Sequence, residues 1–459
     1  MEDYTIQDRV KRLVIFLGCI ILAAGITFFI KEPTFTDSQV YVLFLLFFAI
    51  GLWLTEIVPA FAVSLIIISF LVFTLGNEHL NSAPENTDKY AQTFSNSVIW
   101  LMLGGFFLAS AMTKTKLDEV LFKFTIKISG SKPVNLLIGI MLTTMVASML
   151  MSNTATTAMV VAAVLPLLNS LGKDSKITKA LLIGIAISAS TGGMGTIIGT
   201  PPNAIAVGIL ESNGVSISFL EWMKYGIPIS FILTAISCIA LIKIYIKDNT
   251  PVSMEFLEKD VEPLSKSFLF QRKIVVFVII ITVGLWLTTS FHGLKVASIC
   301  AFPLVILTIT RVLDGNDVQR LAWDTLLLVA GGLSLGLALE QTGLLTHYAN
   351  MLISINVNIY ILFFIFAFAV MIISNIMSNT AASTVMIPLG IAIMLAFKME
   401  IALIIALSAS TSMLLPVSTP PNAIIYSTGF LKQKDFRIGG ILVGLLGPLL
   451  IILWVLFLA

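Results

Sequence analysis

Residues 148–155 read Ser-Met-Leu-Met-Ser-Asn-Thr-Ala, and residues 374–381 read Ser-Asn-Ile-Met-Ser-Asn-Thr-Ala. In each copy the tripeptide Ser-Asn-Thr interrupts an otherwise apolar stretch, leaving arms 133–151 and 154–168 in the first and 354–377 and 380–396 in the second. A helix needs about 20 apolar residues to cross the ~30 Å hydrocarbon layer. Non-helical polar backbone at that depth is tolerated only inside protein or beside a cavity. Each pair of arms therefore reads as a re-entrant helical hairpin with a polar tip.

Outward from the tips, more motifs recur in the same order. Gly104-Gly105 is matched by Gly331-Gly332, Ser188-Ala189-Ser190-Thr191 by Ser408-Ala409-Ser410-Thr411, and Thr200-Pro201-Pro202-Asn203-Ala204-Ile205 by Thr419-Pro420-Pro421-Asn422-Ala423-Ile424. With the tips included, the offsets run 227, 226, 220 and 219, the drift of an internal duplication with short deletions. The Pro-Pro-Asn motifs interrupt apolar segments 179–210 and 400–430. Proline lacks a donor and clashes with the preceding turn, which frees carbonyls of residues such as Gly199 and Ser418. The glycines Gly192, Gly193, Gly195 and Gly199 permit close packing. No lysine follows them, so they do not form a phosphate loop.

The remaining apolar stretches lie near 12–30, 39–57, 60–76, 97–112, 223–247, 273–291, 295–312, 322–342 and 437–459. With each Pro-interrupted segment taken as one span, the expectation is an all-α polytopic membrane protein of eleven spans and two re-entrant hairpins. A cytoplasmic N-terminus then places 22 of the 27 Lys/Arg inside, with only Lys31, Lys89, Lys224, Lys295 and Lys398 outside. The C-terminus falls outside, in the periplasm or extracellular space, and the membrane is the plasma (inner) membrane. Each unit holds five spans, so the second copy lies inverted. Inverted repeats joined at a midplane site are a mark of secondary transporters. The mixed basic and apolar segment 113–132 reads as an amphipathic surface helix, with 343–353 as its milder counterpart.

Composition agrees. The 459 residues are 58% hydrophobic and 11% charged, with a mean hydropathy of +1.01, against about 25% charged in soluble domains. The net charge of +2 with no basic stripe argues against nucleic acid, and the hydrophobicity against disorder. Cys19, Cys238 and Cys300 lie in apolar runs and imply no disulfide framework. The leader MEDYTIQDRVKR is partly acidic and does not read as a signal peptide.

At a hairpin tip the entering arm ends in unpaired carbonyls and the returning arm begins with unpaired N–H groups. Carbonyls, hydroxyls and an Asn oxygen suit a hard monovalent cation; N–H groups and the positive helix end suit a carboxylate or other oxyanion. Proton relays in membranes usually need buried Asp, Glu or His. In the repeated core, 133–210 and 354–430, the only acids are Asp174, in a loop, and Glu400, at the outer edge of a span. Glu56, Asp324 and Glu340 belong to flanking segments and read as structural or interfacial. An anion would then be held by neutral dipoles and balanced by bound cations, which favours sodium over protons. His79, His292 and His347 fall in or near external loops, and Ser152 and Ser378 lack a base, so no enzyme is expected.

The paired Ser-Asn-Thr tips and Thr-Pro-Pro-Asn breaks resemble the divalent anion/sodium symporter family, the INDY-like dicarboxylate transporters, over essentially the whole chain. The resemblance implies a scaffold (1–132 with its arm 113–132, and 248–353, which includes a cytoplasmic linker) that forms a homodimer in membrane lipid. It implies an elevator-type transport domain (133–247, with hairpin 133–168 and broken span 179–210, and 354–459, with hairpin 354–396 and broken span 400–430). Carried over by motif, one sodium site would use Ser148, Ser152, Asn153 and the carbonyl of Gly199. The second would use Ser374, the carbonyl of Met377, Asn379 and Ser418. Substrate carboxylates would meet Asn153, Thr154, Thr200, Ser378, Asn379, Thr380, Thr419 and Pro420. The implied activity is sodium-coupled symport of C4-dicarboxylates such as succinate, malate or fumarate, with Na+ as coupling ion and no organic cofactor. The alternatives are a sodium-independent dicarboxylate exchanger, a carrier of another oxyanion such as citrate or sulfate, and an anion channel. Ser418 opposite Gly199 is the one departure between the two cation sites.

Overall fold

The computed structural model describes residues 6–173, 175–252, 265–354 and 358–458, and these form helices and connections with no strand. In the first half, α1 (Ile6–Ile30), α2 (Asp37–Thr55) and α3 (Ala60–Leu75) precede the single turn α4 (Asp88–Ala91), α5 (Ser97–Lys114) and α6 (Leu117–Ser129). The first hairpin is α7 (Pro133–Ser148) with α8 (Asn153–Leu171). The broken segment is α9 (Lys176–Gly193) with α10 (Pro201–Ser212), and α11 (Phe219–Tyr245) closes the half.

In the second half, α12 (Lys266–Leu287) leads through α13 (Thr289–His292) and α14 (Val296–Ile299) to α15 (Ala301–Ile309) and α16 (Gly315–Gln319). Then come α17 (Trp323–Gln341) and α18 (Leu344–Ser354). The second hairpin is α19 (Ile359–Ser374) with α20 (Asn379–Ile393), and the second broken segment is α21 (Lys398–Ala409) with α22 (Pro420–Ser427). The short α23 (Arg437–Gly439) runs through a π turn, Gly440–Leu445, into α24 (Leu446–Leu458). Asp174 and Lys259 lie outside the described residues.

The breaks fall where the polar motifs put them, because those residues satisfy helix ends. Ser152 and Ser378 are N-caps whose hydroxyls accept from Ala155 N and Ala381 N, both at 3.2 Å. Thr200 and Thr419 are the N-caps of α10 and α22, each followed by prolines in the first turn, where a missing N–H costs nothing.

Eight helices among the described residues are long and apolar enough to cross a membrane, nine if α20 and α21, bent by 112°, count as one. The expectation was eleven. Four expected spans fall short for local causes: each Pro-interrupted segment is divided into two helices, α3 has only 16 residues and the stretch 296–309 is also short; α8, expected as a hairpin arm, is itself long and apolar enough to cross and makes the eighth. The amphipathic segment 113–132 narrows to α6, which buries Phe122 and Ile126 and exposes Phe124 and Ile128. Large side chains such as Phe29, Phe291 and Phe457 are exposed along the outside, as in an integral membrane protein whose solvent is lipid.

Packing follows the repeat. α7 and α8 both lie on α9, and α19 and α20 both lie on α21. The two halves are also interleaved: α10 packs on α20, the returning arm of the other hairpin, and α22 packs on α8. Lys179, in the first turn of α9, lies 3.2 Å from each carboxylate oxygen of Asp435, before α23. At the end of α5, Lys114 bonds Asp314 (3.0 Å), the N-cap of α16, and Asp317 within it, and this donor holds the Asp314 carboxyl below its ordinary pKa.

Candidate functional site

The first tip is built where α7, α8 and α9 meet the extended stretch before α10. Met151 N closes the end of α7 on Ala147 O at 2.9 Å, and Asn153 opens α8. The side chain of Asn153 faces the Ser148 hydroxyl and the carbonyls of Ala189 and Gly199, and its amide has two settings there. With Nδ2 inward it donates to Ala189 O (3.0 Å), Gly199 O (3.2 Å) and Ser148 Oγ (2.7 Å). With Oδ1 inward, four oxygens share the single proton of Ser148, whose hydroxyl lies 2.7 Å from both Asn153 Oδ1 and Ala189 O. Such a cluster is repulsive unless a cation sits among the oxygens. Three of the four predicted groups, Ser148, Asn153 and the Gly199 carbonyl, thus come together.

The fourth predicted group, Ser152, is exposed and its hydroxyl is engaged as the N-cap of α8. The Ala189 carbonyl completes the cluster instead. No side-chain pattern announces a carbonyl, so motif reading missed it. The glycines explain themselves here. A Cβ on Gly193 would run into the Asn153 amide, and one on Gly199 would run into the Gly193 carbonyl. Asn203, fully buried, braces the stretch by donating to Gly193 O (2.9 Å) and Thr196 O (2.7 Å).

The second tip has the same backbone and different partners. Met377 N closes on Ile373 O at 2.9 Å and Asn379 opens α20. Asn379 Oδ1 accepts from Ser412 Oγ at 2.7 Å, whereas the repeat had pointed to Ser374. The Ser374 hydroxyl is fully buried with no hydrogen-bond partner among the described residues. A buried orphan oxygen calls for a ligand such as an ion. Ser418 donates to Leu415 O at 2.8 Å, and Asn422 braces the stretch through Leu415 O at 2.9 Å. Asn375, not anticipated, donates to Met371 O (2.9 Å) and accepts from Leu414 N (3.0 Å), tying the tip to the break before α22.

The residues expected to meet the substrate sit on four helix N-termini. Asn153 and Thr154 open α8, Asn379 and Thr380 open α20, and Ser378 caps it. Thr200 caps α10, and Thr419 caps α22 by accepting from Asn422 N at 3.3 Å, with Pro420 following it. Thr154, Ser378 and Pro420 are exposed, while Thr200 and Thr419 are buried. First-turn N–H groups and helix dipoles are suited to oxyanions. Among the described residues, no cluster of His, Cys, Asp or Glu could hold a metal.

Sequence comparison shows the family of the chain. The chain matches the sodium:sulfate symporter transmembrane region over residues 11–458. It is 28% identical to the sodium-dependent dicarboxylate transporter SdcS of Staphylococcus saprophyticus, over 97% of this chain and 90% of that protein. It is 29% identical to SdcS of Staphylococcus aureus strain USA300, over 90% and 85%. It is 34% identical to an uncharacterized transporter of Methanocaldococcus jannaschii, over 64% and 67%. Among solved structures, Neisseria gonorrhoeae MtrF, reported with a class of antimetabolite efflux pumps, superposes with a TM-score of 0.57 at 12% identity, over 88% of this chain and 96% of that one. The Alcanivorax borkumensis YdaH transporter gives 0.53 at 12%, over 87% and 98%. At that identity the likeness is one of fold. With the family match spanning nearly the whole chain, this protein belongs to the sodium:sulfate symporter family, the divalent anion/sodium symporters.

Proposed function

We propose that the protein is a sodium-coupled symporter of C4-dicarboxylates such as succinate, malate or fumarate. The observation that carries this reading is the convergence of the Ser148 hydroxyl and the Ala189 and Gly199 carbonyls on the Asn153 amide, at a helix N-terminus suited to an anion. A cation there supplies the charge that the substrate site lacks, since that site consists of amides, hydroxyls and helix ends. The SdcS relatives, named for sodium-dependent dicarboxylate transport, support the same coupling. In this reading 133–247 and 354–459 form a transport domain that moves as an elevator against a dimeric scaffold, 1–132 and 248–353. The two units are inverted repeats, and the N-terminus is cytoplasmic. Asn153, Thr154, Thr200, Ser378, Asn379, Thr380, Thr419 and Pro420 meet the carboxylates, with one sodium at each tip.

The test is uptake of labelled succinate into proteoliposomes with sodium or choline outside. Concentrative uptake in sodium alone supports symport. Equal uptake in both salts that requires internal dicarboxylate replaces it with exchange. Exchange has its own support: the Nδ2-inward setting of Asn153 satisfies both carbonyls without an ion. A panel of sulfate, citrate and succinate competitors tests the substrate class.

A further inference from the structure

The turn between α2 and α3 carries a carboxylate with no evident structural task. Glu56 follows α2 with φ 49° and ψ 25°, the left-handed region that glycine enters freely and glutamate rarely. The turn is fixed around it: the Trp53 indole donates to Ala60 O at 3.4 Å, and Pro59 caps α3. No hydrogen bond or ion pair from a described residue reaches the Glu56 carboxylate. The left-handed setting ends α2, a common way for a helix to stop, and leaves the carboxylate of Glu56 exposed and without a protein partner among the described residues.

What Glu56 does face is the second tip. Trp53, Glu56, Val58, Pro59, Ala60, Ser378 and Ala381 line one cavity of about 250 Å³, room for several waters or a small hydrated ion. α2 itself packs on α20, the helix that Ser378 caps. Glu56, on the proposed scaffold, thus lines the same cavity as Ser378 of the proposed anion site. Facing a dianion alone, that charge is repulsive; facing a cation, it is attractive.

We propose that Glu56 recruits the coupling cation at the second tip, drawing a monovalent cation into the cavity it shares with Ser378 and repelling a dianion that arrives without one. The proposal rests on the sodium-coupled reading above. It gives the scaffold a part in coupling, which the repeated core, with its neutral tips, does not contain.

The experiment measures thermal stabilisation of the purified full-length protein against sodium chloride, with choline chloride as ionic control. Labelled succinate uptake is measured in parallel. Glu56→Gln is expected to raise the sodium concentration for half-maximal stabilisation by about three- to tenfold, the scale of one nearby charge screened by water. The succinate KM at saturating sodium should not worsen, because a repulsion has been removed. Glu56→Gly and Glu56→Asn enter the left-handed region more easily and also lack the charge. They should show the same sodium shift, while Glu56→Asp restores the wild-type value. An unchanged sodium response in Glu56→Gln overturns the proposal. So does a normal response in the Gly and Asn variants beside a weakened one in Gln, which would assign the effect to backbone conformation. A wild-type protein indifferent to sodium overturns the symport reading itself, a result visible before any variant is made.

Discussion

Lys179 and Asp435, 256 residues apart, form a chelated ion pair, with Nζ 3.2 Å from both carboxylate oxygens and the side chains only 20% and 9% exposed. The pair ties the start of α9 in the first half to the segment before α23 in the second. It links the two halves of the proposed transport domain at a level where their helices end.

Removing one member of such a pair leaves a largely buried charge uncompensated, which costs about 3 kcal/mol. Lys179→Met should therefore lower the melting temperature of the detergent-purified protein by several degrees. The double variant Lys179→Met with Asp435→Leu should recover part of the loss, since apolar packing replaces a buried pair at little cost, less about 1 kcal/mol for the bond that Asp435 Oδ2 accepts from Lys432 N at 2.8 Å. A double variant as unstable as the single would show that the charges are not paired in the folded protein.

Asn153→Ala and Asn379→Ala each remove the amide around which a tip is organised. Both should abolish substrate accumulation in proteoliposomes while the protein remains monodisperse. The fold loses about 1 kcal/mol per hydrogen bond, small beside the loss of a binding group. Wild-type transport rates in both variants would refute the assignment of the tips.

Gly193→Ala tests how tightly the first site is built. The added methyl meets the Asn153 amide, and overpacking of this kind costs about 1–3 kcal/mol or displaces the amide. Sodium-dependent stabilisation should weaken at least tenfold. Gly18→Ala, where nothing lies within 4 Å, is the control and should leave sodium affinity unchanged. Equal responses of the two variants would remove Gly193 from the site.

At the second tip, Ser412 and Ser374 should separate. Ser412→Ala breaks the 2.7 Å bond to Asn379 and should destabilise the protein by about 1 kcal/mol. Ser374→Ala removes a hydroxyl with no partner among the described residues, so the melting temperature without sodium should hold or rise. If that oxygen serves a cation, the sodium-induced stabilisation shrinks in the same variant. An unaltered sodium response in Ser374→Ala would exclude it as a ligand.

The sequence by itself determined where helices stop. Ser152, Ser378 and Thr419 cap helices in the structure at the positions their motifs indicate, because capping is a local bond between a side chain and an N–H three residues on; Thr200 holds the N-cap position of α10 without such a bond, ahead of the two prolines that open the helix. The family resemblance grouped Ser148, Ser152, Asn153 and the Gly199 carbonyl, and the structure brings all but Ser152 together. The partner of Asn379 was a different matter. The repeat put Ser374 beside Asn379, and the structure supplies Ser412, a hydroxyl side chain at the position where the first copy has Gly192. The Ala189 carbonyl, the Lys179–Asp435 pair, the interleaving of α10 with α20 and the approach of Glu56 to the Ser378 cavity had no sequence signature at all. Carbonyls carry no residue type, and contacts across hundreds of residues depend on how whole helices pack. Local hydrogen bonding wrote the breaks into the chain, and only tertiary packing decided which groups meet across them.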